Sequence, residues 1–167
     1  RTLDIAVWTG NEMIVWGGEG NGGPFREINT GGRYNPITDS WVATSTPNAP
    51  IPREQHSAVW TGSEMIVWGG RDDFTWFNTG GRYDPITDSW TRTNADFTNA
   101  PEARWYHTVE WTGREMIVWG GTNQTIALNT GGKYNPATDS WIATSTANAP
   151  LGRFAHTSIW SGSEMDV

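Results

Sequence analysis

Three histidines are the residues whose type and spacing first suggest chemistry. His56, His107 and His156 recur at intervals of 51 and 49 residues. Imidazole is a common ligand of zinc and copper, so three equivalent histidines that converge could hold a metal ion. A side chain that recurs by repetition more often packs or hydrogen bonds, however, and Asp4 stands at the corresponding first position. We therefore predict a structural role for the histidines, with no metal ion and no other cofactor.

An arginine stands three residues before each of these positions, at Arg1, Arg53, Arg104 and Arg153. If the repeats surround an axis, these guanidinium groups could ring the mouth of a central channel and attract an anion. The favoured alternative is that each guanidinium donates to backbone carbonyls of a neighbouring repeat. The candidates for the channel mouth are Arg53, His56, Arg104, His107, Arg153 and His156.

Among the carboxylates, only one candidate functional residue lies within a predicted strand and is not repeated. Four glutamates occupy one repeated turn position, which does not resemble a glycosidase pair with two different environments, and we expect a structural role for them. Glu110 differs, because it replaces the valine found at position 59. A lone buried carboxylate must find a partner or become protonated. Glu110 is therefore either a functional residue or a locally paired or rim-exposed one. The repeated four are Glu12, Glu64, Glu115 and Glu164.

Unrepeated aromatic residues are the best sequence evidence for a binding site. They cluster next to two aspartates in one segment, and another aromatic residue precedes His107. Aromatic faces beside carboxylates suit sugar stacking or a protein hot spot, although these side chains could equally cover an adjoining repeat. Asn123 and Thr125 also form an N-glycosylation acceptor pattern. The ligand-binding candidates are Asp72, Asp73, Phe74, Trp76, Phe77, Trp105, Glu110 and Asn123, and no residue is assigned a catalytic role.

Composition restricts the class of protein. The chain has 167 residues, enough for one domain, with 20 glycines and 12 tryptophans. This composition argues against helical bundles and disorder. A net charge of −7 argues against nucleic acid and anionic membranes as partners, and no apolar run is long enough to span a bilayer. The absence of cysteine excludes disulfides and thiol catalysis and leaves the compartment open. Because the chain opens at Arg1 without a visible signal peptide, we expect a mature or excised segment.

Internal repeats indicate the elements that position these residues. The segment Arg53 to Gly70 recurs from residues 1, 104 and 153, and a second block ending in Trp41 recurs at Trp90 and Trp141. Each unit predicts four strands, named A to D. In the second unit, strand A covers 56–60, strand B covers 65–68, strand C contains 82–83 and strand D opens at 90. Gly62 and the Pro-Ile-Thr-Asp-Ser segment 85–89 supply turns, and we expect Asp88 to bond its own backbone. The continuous apolar strand B predicts a sheet that is covered on both faces.

The motifs Arg-x-x-His, Gly-Gly and Tyr-Asn/Asp-Pro-x-Thr-Asp-Ser-Trp resemble the Kelch repeat. The resemblance covers the whole chain and implies an all-β fold, a Kelch-type β-propeller segment of four-stranded antiparallel blades. We divide this single segment into blades at about 1–52, 53–103 and 104–152, with part of a fourth at 153–167. Kelch propellers usually have six or seven blades and most often serve recognition. The resemblance to the copper oxidase branch fails, because that branch requires a tyrosine cross-linked to cysteine.

Two functional hypotheses follow. The first is a non-catalytic recognition or scaffold module, which binds protein or glycan through the B–C and D–A loops. These loops vary between copies, whereas the loops at the other end repeat almost unchanged. The alternative is a sugar-acting hydrolase or epimerase on the same face, or a structural fragment without a separate function. Since three full blades cannot close a ring, an exposed apolar face predicts a homo-oligomer or part of a longer chain.

Overall fold

The protein forms separate small antiparallel sheets that follow one another along the chain. A computed structural model describes residues 1–20, 27–93 and 99–167. In these ranges the structure has fourteen strands and no helix, arranged as three four-stranded sheets and one two-stranded sheet. The predicted all-β class and the three full blades with part of a fourth are therefore confirmed.

The strands of each blade follow the chain in simple order, β1-β2-β3-β4 in the first blade. Blade 1 contains β1 (Ile5–Trp8), β2 (Met13–Trp16), β3 (Gly31–Asn35) and β4 (Ser40–Ala43). Blade 2 contains β5 (Ser57–Trp60), β6 (Met65–Trp68), β7 (Gly80–Asp84) and β8 (Ser89–Arg92). Blade 3 contains β9 (Thr108–Trp111), β10 (Met116–Trp119), β11 (Gly131–Asn135) and β12 (Ser140–Ala143). The partial blade contains β13 (Ile159–Trp160) and β14 (Met165–Asp166).

Local turn chemistry fixes the register of the strands. Gly62 has a φ of +102°, and the Thr61 hydroxyl accepts a hydrogen bond from the Glu64 amide at 2.9 Å, which places Trp60 opposite Met65. In the C–D turn the expectation for Asp88 was wrong. The first turn residue, Asp84, accepts from the backbone amide of Ile86 at 2.8 Å. Asp88 instead adopts a left-handed conformation and accepts from the Tyr83 hydroxyl at 2.6 Å, because its carboxylate faces back across the turn.

Neighbouring blades pack through tryptophan and histidine. The strand-B indole of Trp68 is fully buried, with its ring centroid 5.2 Å from that of Trp141 and 5.3 Å from that of His107 in the next blade. A Cβ at Gly69 would lie 2.6 Å from the His107 ring, so only glycine permits this approach. The backbone amide of Gly70 also donates to the carbonyl of Arg104 at 2.9 Å. The same contacts recur between blades 1 and 2, so one interface is used repeatedly.

The first strands gather on the inner side of the array. Strand β1 lies against β5, and β5 lies against β9. The fourth strands are therefore outermost, and the B–C and D–A loops meet at one end of the blades. We call this end the variable face. Residues 21–26 of the first B–C loop and 94–98 of the second D–A loop lie outside the described residues.

Candidate functional site

The predicted channel-mouth arginines are buried under the variable face. Arg53 is almost fully buried and donates to the carbonyls of Gly69 at 2.9 Å and Thr79 at 2.7 Å. Arg104 repeats this pattern with the carbonyls of Gly120 and Thr130. These carbonyls belong to the arginine's own blade, not to the neighbouring one as expected, because the B–C loop folds back over strand A. Burial lowers the pKa of Arg53 to about 9. The side chains thus close the base of each B–C loop.

Arg153 holds the same position in the partial blade and is less buried. Its Nε donates to the carbonyl of Leu151 at 3.3 Å. Whether these arginines attract an anion stays a prediction, although their carbonyl partners favour the structural interpretation.

The three histidines lie between blades. The rings of His56, His107 and His156 each pack edge-on against the strand-B tryptophan of the preceding blade. Burial, and then the charge of the neighbouring arginine, lower the pKa of His56 and of His107 to about 3. Nε2 of His156 lies 3.0 Å from the Thr108 hydroxyl. Within residues 1–20, 27–93 and 99–167, no group of three His, Asp or Glu side chains could hold a metal ion.

Glu110 finds a local partner. Its carboxylate accepts a hydrogen bond from the Ser158 hydroxyl of the partial blade at 2.7 Å. Glu110 faces this neighbour from strand β9, inside the array, so the structure does not bring it to the aromatic candidates of the variable face. This contact supports the locally paired interpretation.

Two predicted aromatic candidates form a stacked pair on the variable face. The ring centroids of Trp76 and Trp105 are 5.7 Å apart, with 26° between their planes. The guanidinium of Arg71 lies over the Trp105 ring at 5.7 Å. Nε1 of Trp76 is buried and has no hydrogen-bond partner among the described residues. The two unrepeated tryptophans thus come from different blades, and the half-buried Trp76 covers Trp105, which is only 9% exposed.

The other candidates divide between scaffold and rim. Phe77 is buried under the guanidinium of Arg53, 4.5 Å from its ring centroid, and is therefore a packing residue. Phe74 is 74% exposed, at a loop tip held by the Asp72 carboxylate, which accepts from the amides of Phe74 and Thr75. Asp73 lines a shallow pocket beside Phe74.

Asn123 lies in the third B–C loop. Its side-chain amide donates to the Glu102 carboxylate at 3.1 Å, and its Oδ1 accepts from the amide of Thr125 at 3.1 Å. Asn123 therefore orders the loop in which it lies.

Sequence reasoning missed a charged group next to the tryptophan pair. Glu54 is 2% exposed, and its Oε1 accepts from Nε of Arg71 at 2.9 Å, with Nη2 at 2.8 Å. The backbone amide of Gly18 donates to the carbonyl of Arg53 at 2.8 Å, which places Glu19 of blade 1 near Glu54. Burial, and secondarily Glu19, raise the pKa of Glu54. One signal could have found these residues: the position after each repeated arginine varies among Thr2, Glu54, Trp105 and Phe154.

Comparison with known proteins gives one family. The family model described as KLHDC2/KLHL20/DRC7 Kelch-repeats domain matches residues 4–166, nearly the whole chain. No curated protein matches the sequence. No helix in the described part of the chain is long and apolar enough to cross a membrane.

Proposed function

Because the chain belongs to the Kelch-repeat family, whose domains generally mediate protein interactions, we propose that it is a non-catalytic recognition module with its ligand site on the variable face. The observation that supports this proposal is the exposed Phe74 at a loop tip, two residues before the half-buried Trp76, which stacks on the buried Trp105. These side chains are unrepeated, whereas the scaffold beneath them is built from repeated contacts. Aromatic side chains on a rigid support are the usual anchors of protein interfaces.

A photocrosslinking residue tests whether the ligand binds at the variable face. We expect benzoylphenylalanine at position 74 to capture a discrete protein partner, because Phe74 is exposed at the tip of the variable face. The matched control is the same residue at position 86, since Ile86 is 89% exposed in the repeated C–D turn at the other end of blade 2. Crosslinks that form at position 86 and not at position 74 would contradict the proposal.

Glycan binding is the second candidate, and the half-buried Trp76 supports it because the open face of an indole can stack on a sugar ring. A glycan array probed with the intact protein distinguishes a glycan ligand from a protein ligand. Reproducible binding that Trp76→Ala abolishes, without photocrosslinking to protein, would replace protein by glycan as the ligand.

We also propose that the blades associate with further blades, from a second copy or from a longer chain. Trp41 in strand D of blade 1 is 57% exposed, whereas the equivalent Trp90 is 3% exposed against Trp16 of the preceding blade. Because the equivalent indole is buried in blade 2, the exposed indole of Trp41 favours a further blade that covers it.

A further inference from the structure

Two equivalent grooves open between adjacent blades at the end of the array opposite the variable face. We call this end, which is formed by the A–B and C–D turns, the repeated face. The first groove lies between blades 1 and 2, has a volume of about 310 Å³ and is lined by Glu12 and Trp60. The second groove lies between blades 2 and 3, has a volume of about 540 Å³ and is lined by Glu64, Arg82 and Trp111. Both volumes are in the range of small-molecule sites, about 300–1,000 Å³.

An indole lines each groove. Trp60 and Trp111 end the first strands of blades 2 and 3 and occupy one repeat position. Both are half-buried, because each packs against the apolar core of its blade interface and also lines the groove. The accessible part of an indole can stack on the apolar face of a sugar ring.

A carboxylate and a guanidinium lie together at each groove but are too far apart to share a hydrogen bond. Oε1 of Glu12 is 3.8 Å from Nη1 of Arg33, and Oε2 of Glu64 is 3.9 Å from Nη1 of Arg82. A charge-assisted hydrogen bond would measure about 2.7–2.9 Å. All four side chains keep 20–28% of their surface exposed, so a ligand can reach them. Each groove therefore presents an acceptor beside a donor.

The guanidinium is held in place by the neighbouring blade. Nη1 of Arg82 donates to the carbonyl of Pro136 in blade 3 at 2.7 Å, and Nη1 of Arg33 donates to the carbonyl of Pro85 in blade 2. The turns that carry these prolines also line the two grooves. Because the guanidinium is already ordered, a ligand that binds it loses little free energy to side-chain ordering.

The charges at each groove favour a neutral ligand. One carboxylate and one guanidinium sum to zero, so a charged ligand would attract one group and repel the other. A pyranose has hydroxyl groups that donate to the carboxylate and accept from the guanidinium, and it has an apolar C–H face for the indole. Rim residues differ between the two grooves, with Asn11 and Ile86 in the first and Ser63 and Ala137 in the second. The carboxylate, the guanidinium and the indole are the same in both.

We propose that each groove of the repeated face binds one neutral pyranose sugar through its carboxylate, its guanidinium and its indole. Two grooves on one array bind neighbouring sugars of the same glycan-bearing surface, which raises the apparent affinity. These sites lie at the opposite end from the proposed recognition site on the variable face, so either function can exist without the other. The assigned residues are Glu12, Arg33 and Trp60 in the first groove, and Glu64, Arg82 and Trp111 in the second.

Methyl glycosides of glucose, galactose and mannose test the proposal. Each glycoside is titrated into the protein, and the indole N–H resonances of Trp60 and Trp111 are followed by NMR. We expect at least one glycoside to shift both resonances saturably. Sorbitol, which has the hydroxyl groups without the ring, should shift neither. Glu64→Gln should weaken binding in the second groove about tenfold, because it removes a charged hydrogen-bond acceptor, and should leave the Trp60 response unchanged.

The two grooves are matched controls for each other. Glu12→Gln should weaken only the Trp60 response, and the unaffected groove shows that each variant is folded. The absence of a saturable shift with all three glycosides, equal shifts with sorbitol, or unchanged affinity in both variants would overturn the proposal. Tighter binding of methyl glucuronoside than of methyl glucoside would overturn the preference for a neutral ligand.

A glycan array separates these grooves from the variable face. Binding to the grooves should survive Trp76→Ala and should be weakened by Glu64→Gln. Binding that Trp76→Ala abolishes would instead assign the glycan to the variable face and remove it from the grooves. Failure of all sugar binding, together with photocrosslinking from position 74, would retain protein recognition and overturn the groove sites.

Discussion

At the residue scale, the imidazoles of His56 and His107 lie between blades as neutral groups. Neither nitrogen of either ring has a hydrogen-bond partner among the described residues. His56 faces the guanidinium of Arg53 and the indole of Trp16. His107 faces Arg104 and also lies near His56 and His156. A protonated imidazole there would lose its hydration next to a positive charge.

We therefore predict that the protein loses stability as the pH falls through the range below about 6.5. The folded pKa of both histidines is about 3, below the value of 6.5 for a solvated imidazole, so the unfolded chain binds the extra protons. Each histidine should contribute up to about 1.4 kcal/mol per pH unit to the slope. Urea unfolding at pH 7, 6 and 5 measures it, and a His56→Gln/His107→Gln double variant is the control. An unfolding free energy that does not change over this range would contradict the prediction.

At the element scale, the blade interface depends on strand-D tryptophans that insert against the preceding blade. Trp141 of β12 is 5% exposed and packs on Trp68, whereas Trp41 of β4 occupies the same repeat position and is 57% exposed. Both indoles lie 5.1 Å from the tyrosine of strand C in their own blade. The two sites therefore differ mainly in the presence of a neighbouring blade.

This pair of sites predicts unequal costs for one substitution. Trp141→Ala should lower the free energy of unfolding by roughly 3–5 kcal/mol, because it leaves a cavity between blades. Trp41→Ala should cost less than about 1 kcal/mol, because the indole is largely in solvent. Denaturant titrations of both variants measure the difference. Equal losses would show that the tryptophan stabilises its own sheet and not the interface.

At the scale of the whole molecule, the face of blade 1 that points away from blade 2 leaves large apolar side chains in solvent. Trp8 and Trp41 lie in one register row of the sheet, and both are more than half exposed. In blades 2 and 3 the equivalent tryptophan of strand D is covered by the preceding blade. Such a face is uncommon on a soluble monomer.

We predict that the 18.5 kDa chain associates into a dimer or larger species at micromolar concentration. Sedimentation equilibrium measures the mass, and Trp41→Glu should shift the population towards monomer because it places a charge on the apolar face. Ile86→Glu is the control, since Ile86 is exposed in a C–D turn. A well-folded wild-type monomer would contradict the prediction.

The fold could be predicted from the sequence because its signals are local. Gly62 fixes the A–B hairpin, and the turn at Asp84 fixes the C–D hairpin, so each blade's register is encoded within a few residues. Because the pattern occurs in three full copies, a strand or turn that is ambiguous in one copy can be assigned from the other two. For the same reason the repeated roles of His56 and Arg53 could be inferred, although not which carbonyls the arginine would meet.

The candidate site could be predicted only in part. The unrepeated Trp76 and Trp105 were visible as departures from the repeat, but their stacking depends on how two blades pack. Glu54 and Glu19 are 35 positions apart, and only the interface between blades 1 and 2, where the Gly18 amide donates to the Arg53 carbonyl, brings the two residues near each other. No local pattern encodes such a contact.

The sequence by itself determined that each strand B is an apolar strand, since Met-Ile-Val-Trp occurs unchanged three times. Only the tertiary structure decided how much of each copy is buried. All four residues of β6 are buried, whereas Met13 and Val15 of β2 and Ile117 of β10 retain some exposure. The physical reason is that successive side chains of a strand point to opposite faces of the sheet, and each face is removed from water only by an adjacent blade.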